Sequence, residues 1–209
     1  MARDDIEISR APLSRHEQDE AAVVASRAFQ HDPFFDHLWP KHLVRSRGLA
    51  LFFRSVITNN GPGGQVLTAR QGDKILGVAV WIEPGGYPFS LPVQARQMLD
   101  GMRAMLGHPR RIPDGLRYLL AMEHHHHVGP HWYLELLVTD PSVQRSGIGT
   151  MLLAETIDRC DTEGVPAYLE TQNEDNLAYY ARFGFDVSEK MTPTKTGPPL
   201  WTLTRPYKG

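Results

Sequence analysis

Gln144-Arg145-Ser146-Gly147-Ile148-Gly149 is the stretch on which the reading of this 209-residue chain turns. An apolar run, residues 132–138, precedes it, and a segment with helical spacing, residues 151–159, follows. A strand that enters a glycine-bearing turn and then a helix N-terminus presents a pocket of backbone N–H groups. The helix dipole adds positive potential there, so the turn suits a phosphate or pyrophosphate. Gly147 and Gly149 allow close backbone approach and unusual φ/ψ. No Gly-Lys-Ser/Thr follows, which excludes a nucleoside-triphosphate P-loop, and the G-x-G-x-x-G dinucleotide pattern is absent.

Working outward, the pattern predicts a short strand at residues 6–9 and a helix from Ser14 towards Phe29, opened by a Ser14/Glu17 capping box. His31-Asp32-Pro33 breaks that helix. Residues 43–57 have helical spacing and run into the loop signal Asn59-Asn60-Gly61-Pro62-Gly63-Gly64. Residues 65–70 and 75–83 read as a hairpin around Gln71-Gly72-Asp73. A loop at 84–92 leads to two helical segments, 93–106 and 114–123, and then to the central strand, 132–139. A helix at 147–163, a strand at 167–172, a helix at 175–183 and strands at 185–190 and 200–204 complete a mixed α/β order.

Composition sets limits. A chain of this length, 41% hydrophobic, is most economically one domain over 1–209. A net charge of −2 leaves no electrostatic footprint for nucleic acid or a membrane surface. Cys160 is the single cysteine, so neither a disulfide framework nor a cysteine metal site is expected. The opening Met-Ala-Arg-Asp-Asp lacks the apolar core of a leader, and no run reaches membrane-spanning length, so a cytoplasmic protein is the expectation.

The Gln144–Gly149 stretch, after a strand ending in Thr139-Asp140-Pro141, resembles the coenzyme A loop of the GNAT superfamily of N-acetyltransferases. Asn176-Leu-Ala-Tyr-Tyr180-Ala-Arg-Phe-Gly184-Phe185 is similar to that family's Asn-x-x-x-Tyr-x-x-x-Gly-Phe element. Gly164-Val-Pro-Ala-Tyr-Leu-Glu170-Thr171 and Leu200-Trp201-Thr-Leu-Thr-Arg205 resemble the puromycin-acetyltransferase-like branch. The resemblance runs from about Pro130 to the C-terminus. It implies a mostly antiparallel sheet, splayed at the cofactor site, with a helical insertion at about 84–124, and acetyl-CoA as co-substrate without a metal.

Acetyl transfer to an amine needs the amine neutral, an oxyanion stabilised and a proton for the departing thiolate. The resemblance implies that Leu137, Val138 and Thr139 line the pantetheine arm with backbone. It assigns Gln144, Arg145, Ser146, Gly147, Ile148, Gly149 and Thr150 to the loop that holds the pyrophosphate. Tyr180 becomes the general acid, its phenol near pKa ~10 against a thiol near ~8.5. Asn176, four residues before it and placed on the same helix face, either binds the pantetheine or caps the turn. The base stays open among Glu170, Glu135 and a water chain. Alternation puts Glu135 on the face of Tyr133, Leu137 and Thr139, where an unpaired carboxylate is costly unless used.

His124 to His127, with His131, precede the central strand. Loop histidines without a task are one reading; one that lines the acceptor pocket or relays a proton is another. Consecutive residues point to alternate sides, which disfavours a metal site. Phe29, Phe34, Phe35 and Trp39, among His31, Asp32 and Asp36, are either an aromatic core or an amine-holding wall. The expected function is acetylation of a small-molecule amine, antibiotic-like among the options, by direct transfer in a ternary complex. Acetylation of a protein N-terminus or lysine is the alternative, and a non-catalytic acyl-CoA-binding module is the reading from another class. The family's exposed strand edges commonly pair, so a homodimer is among the expectations.

Overall fold

A computed structural model describes residues 5–208; residues 1–4, which belong to the opening stretch expected to be no leader, lie outside it. Seven strands form one sheet in the order β1-β2-β3-β4-β5-β7-β6. They are β1 (Glu7–Ser9), β2 (Gly64–Gln71), β3 (Lys74–Ile82), β4 (Trp132–Thr139), β5 (Ala167–Thr171), β6 (Asp186–Met191) and β7 (Leu200–Arg205). Every pairing is antiparallel except β4 with β5. Helices α1 (Arg15–Ala28), α2 (Pro33–Leu38) and α3 (His42–Thr58) follow β1; α4 (Leu91–Met105) and α5 (Ile112–His124) separate β3 from β4. The last two helices are α6 (Ile148–Glu163) and α7 (Leu177–Ala181). Among the described residues no helix is long and apolar enough to cross a membrane.

Local signals account for most boundaries. The α1 capping box is formed: the Glu17 amide donates to Ser14 Oγ, and the Ser14 amide donates back to Glu17 Oε2 at 2.8 Å. The expected hairpin closes on Gly72-Asp73, with Gly72 at φ +58°. Helix α2 was missed, although its signals are local: Asp32 caps the Phe34 and Phe35 amides, and Pro33 occupies the first turn. The helix expected at 175–183 is shorter. A 3₁₀ turn, Glu174–Asn176, precedes α7, which ends before Gly184 at φ +84°.

The sheet divides two cores. Side chains of α1 and α3 pack on one face with Val78, Val80, Ile82, Leu136, Val138 and Tyr168. Helix α6 packs on the other with Ala79, Trp81, Leu134, Leu169 and Tyr180. The aromatic quartet near the N-terminus belongs to the first core: Phe35 and Trp39 are buried and stack at 5.7 Å, with Phe29 and Phe34 against them. Gly77 lets α6 approach β3, since a Cβ there would lie 2.8 Å from Ile148 Cγ2. Helix α5 docks through Tyr118, whose hydroxyl donates to Pro198 O at 2.5 Å, and through Asp114, which meets His37 of α2 at 3.2 Å.

Two irregularities shape the centre. Strands β4 and β5 pair over only three residues each, Trp132 to Leu134 against Ala167 to Leu169, and separate beyond. This is the expected splay. In addition, Leu134 opposes Trp81 while Leu136 opposes Val80, so Glu135 is the extra residue of a β-bulge. The bulge corrects the simple alternation. Tyr133 shares a face with Leu136 and Val138, whereas Leu137 turns to the α6 side.

Candidate active site

The Gln144–Gly149 loop leaves β4 through Asp140, whose side chain accepts from the Ser142 amide at 2.9 Å and is ion-paired with Arg27 of α1. Gln144 Nε2 reaches back to Thr139 O at 3.4 Å, and the Ser146 hydroxyl donates to Val143 O at 2.6 Å. Arg145 and Gly147 lie at φ +62° and +93°. A non-glycine residue in that region is strained, and Gly147, at the N-cap of the 16-residue α6, offers the first amides no side-chain acceptor. Gln144, Arg145 and Thr150 are exposed, and Ile148 anchors the turn in the core. Gly149 admits no side chain without moving a neighbour: its Cβ would sit 2.9 Å from Tyr179 Oη and 3.6 Å from Thr139 Oγ1. An open helix N-terminus, backbone free of Cβ atoms and a cleft between β4 and β5 fit a pyrophosphate with an extended arm.

Beyond the last β4–β5 pair, Leu134↔Leu169, stand Glu135 and Glu170. The Glu170 side chain is 3% exposed; Tyr168 Oη donates to its Oε1 at 3.0 Å, and His126 Nδ1 lies 3.3 Å away. Oε2 of Glu135 is sealed from solvent with no hydrogen-bond partner among the described residues. Burial, with the Glu170 charge adding to it, pushes the Glu135 carboxyl up to about 8. Three tyrosines wall this acidic pair. Burial and the two carboxylates raise the Tyr133 phenol well above its ordinary value, and Tyr87 and Tyr168 are raised likewise. Tyr87 stacks on His126 at 3.7 Å between centroids, while Tyr133 and Tyr168 meet the same ring edge-on. Beside the cluster, a hollow of about 590 Å³ is lined by Leu120, Ala121, Glu123, His124 and His125.

Tyr180 lies on the other face of the sheet, buried against Phe185 and Tyr179, and burial raises its phenol. Asn176 ends the 3₁₀ turn before α7, so it does not share an α-helical face with Tyr180, and its side-chain Nδ2 donates to Thr171 Oγ1 at 3.1 Å. The histidines split. His125 pairs with Glu189 at 2.8 Å, whereas His126 and His131 are buried and meet through their Nε2 atoms at 3.0 Å. Among the described residues no group of three or more acidic, histidine or cysteine side chains is arranged to hold a metal ion. Cys160 is on the buried face of α6, and burial pushes its thiol up to about 12, which leaves it inert as a nucleophile. Sequence reasoning missed Tyr87 and the pairing of His126 with Glu170. Neither carries a local signal, because a loop and a strand far apart in the chain bring them together.

Comparison with solved structures supports the fold. The chain is similar to a structure from Corynebacterium glutamicum described as histone acetyltransferase HPA2 and related acetyltransferase, with 22% identity, a TM-score of 0.66 and 98% of each chain covered. It is also similar to the ribosomal-protein-S18-alanine N-acetyltransferase of Escherichia coli, with 18% identity, a TM-score of 0.56 and 98% and 95% covered. An agmatine N-acetyltransferase variant gives 11% identity, a TM-score of 0.52 and 96% and 99% covered. Residues 27–185 match the model of the acetyltransferase (GNAT) family. With a match over that span, this chain belongs to the GNAT family of acetyltransferases.

Proposed function

We propose that the protein moves an acetyl group from acetyl-CoA to the primary amine of a small molecule, directly, within a ternary complex. The observation that carries this reading is the Glu135–Glu170 pair, buried behind tyrosines where β4 and β5 part. Bound acetyl-CoA supplies the activated acetyl group as a thioester. The β5-side backbone of β4 beyond Leu134, lined by Leu137, Val138 and Thr139, lacks a strand partner there and would hold the pantetheine arm; the residues from Gln144 to Thr150 would hold the pyrophosphate.

The acceptor arrives as an ammonium, which has no lone pair. Glu170, hydrogen-bonded by Tyr168 in a way that suits the carboxylate, takes its proton as base. Glu135, with its carboxyl at about 8, holds a proton at neutral pH and keeps the pair from carrying two charges until a cation enters. Tyr180, on the opposite face, protonates the leaving thiolate, with Asn176 fixing the turn that carries it. The inert Cys160 argues for direct transfer over an acetyl-enzyme.

A small acceptor fits because Glu170 and His126 are nearly sealed and Tyr87, from the segment leading into α4, closes over them. A protein acceptor is the second reading, supported by the described substrates of two similar structures, a histone acetyltransferase and a ribosomal-protein acetyltransferase. The test is thiol release from acetyl-CoA with a panel of small primary amines and, separately, amino-terminal and lysine peptides. Turnover with small amines, lost in Glu170→Gln, supports the proposal. Turnover with peptides alone sinks it.

A further inference from the structure

We propose that His126 is the second station for the acceptor's proton: Glu170 takes it from the ammonium and passes it to His126 Nδ1, with His131 holding His126 in the tautomer that leaves Nδ1 open. This rests on the reading of Glu170 as the base.

The tautomers follow from three distances. His131 Nδ1 lies 2.8 Å from Gly129 O, and a carbonyl only accepts, so Nδ1 carries the hydrogen. A neutral His131 then has its lone pair on Nε2. That atom is 3.0 Å from His126 Nε2, which must be the donor. A neutral His126 therefore has its remaining lone pair on Nδ1, 3.3 Å from Glu170 Oε1. Two lone pairs facing each other at this separation leave room for one proton. His131 is suited to the anchoring role because it stays neutral: burial, with His126 and His127 nearby, pulls it down to about 4 against the opposing Gly129 carbonyl.

The groups facing His126 come from every neighbouring segment. Glu170 and Tyr168 face it from β5, and Tyr133 from β4, with the Glu135 carboxyl behind. Tyr87 covers the ring, Glu123 interacts with Tyr87, and His127 lies alongside.

The step balances. The ammonium N–H bond breaks, its electron pair stays on nitrogen, and the proton passes through Glu170 to Nδ1, leaving a carboxylate–imidazolium pair. Amide formation releases a second proton from nitrogen, which the Glu170 carboxylate, freed by the first transfer, accepts; Tyr180 gives its own proton to the thiolate and regains one from solvent as Glu170 returns its proton to water. One proton remains on His126, equal to the one the overall reaction liberates from a cationic amine, and it returns to water after product leaves.

Long-range proton–nitrogen NMR of the histidine rings in the whole protein reads the tautomers without any substrate. The expected result is His131 protonated on Nδ1 and His126 on Nε2; His131 protonated on Nε2 overturns the proposal. The kinetic arm uses His126→Phe, which keeps a ring against Tyr87, with benzylamine as a strongly basic acceptor and trifluoroethylamine as a weakly basic one. A proton station predicts a fall in kcat/KM of about 100-fold for the first and under about threefold for the second. An equal loss with both amines means a packing role and overturns the proposal. If His126→Phe loses its thermal transition, His126→Gln carries the same comparison. Failure of the wild type with every small amine refutes the small-molecule acceptor, and the tautomers alone then decide whether His126 Nδ1 is the accepting atom.

Discussion

Glu135 and Glu170 occupy equivalent places on adjacent strands, each the first residue beyond the last β4–β5 pair. Glu135 is also the bulged residue opposite β3, so one local distortion ends the pairing and aims a carboxylate at its counterpart. Bulges beside active sites commonly re-aim a side chain in this way.

This placement makes stability depend on pH. The Glu135 carboxyl is raised in the folded protein to about 8 from an ordinary value of 4.5, so between these values the folded state holds a proton that the unfolded state has released. Stability is therefore full below the unfolded value and declines as pH rises through the folded one. We expect thermal unfolding to shift downward between pH 5 and pH 8 by an amount worth a few kcal/mol at most, since each tenfold change in proton affinity is worth ~1.4 kcal/mol. Glu135→Gln should flatten the curve. A variant with the wild-type slope would refute the assignment.

If Tyr180 is the proposed general acid, Tyr180→Phe should lower kcat by about 100-fold while the KM for acetyl-CoA changes less than about twofold, since an acid for the departing thiolate contributes to turnover and not to binding. Tyr179→Phe is the control, because Tyr179 Oη lies against Gly149 and Thr150. Steady-state thiol release compares the two. Equal losses would mean that the α7 tyrosines serve packing alone.

Gly77→Ala places a methyl 2.8 Å from Ile148 Cγ2 and 3.0 Å from Leu152 Cδ1. Overpacking of this kind costs about 1–3 kcal/mol. The helix it displaces follows the loop proposed to hold the pyrophosphate, so urea unfolding and coenzyme A affinity should weaken together. Unchanged affinity in a destabilised variant would separate the two.

Asp140 links the loop to α1 through Arg27, but the two partners are not equivalent. Arg27 is half exposed and Asp140 buried. Arg27→Ala should cost less than about 1 kcal/mol. Asp140→Ala should cost about 1–3 kcal/mol, because it strips the Ser142 amide and hydroxyl of their acceptor in the turn that precedes the loop. Chemical denaturation of both variants measures the difference.

Much of the fold was legible in the chain itself. The Ser14/Glu17 cap, the Gly72-Asp73 turn and the strand–loop–helix around Gly147 are written in residues three or four apart, and local hydrogen bonding enforces them. Residue periodicity also placed the two helices of the insertion and the Tyr180 segment. It put Leu137 on the face of Tyr133 and Glu135, whereas Leu137 packs on the α6 side, because alternation assumes an unbroken strand and the bulge adds one residue.

The sequence by itself therefore determined the order of most elements, the strand–loop–helix around Gly147 and the family. Only tertiary structure decided which side chains meet. Tyr87, His126, His131, Glu135 and Glu170 come from four segments, the loop after β3, the loop before β4, β4 and β5, and converge because the sheet register and the insertion bring them together. The protonation of Tyr87, His131 and Glu135 depends on burial and on nearby charge, quantities that exist only once distant segments are packed into a shared low-dielectric space.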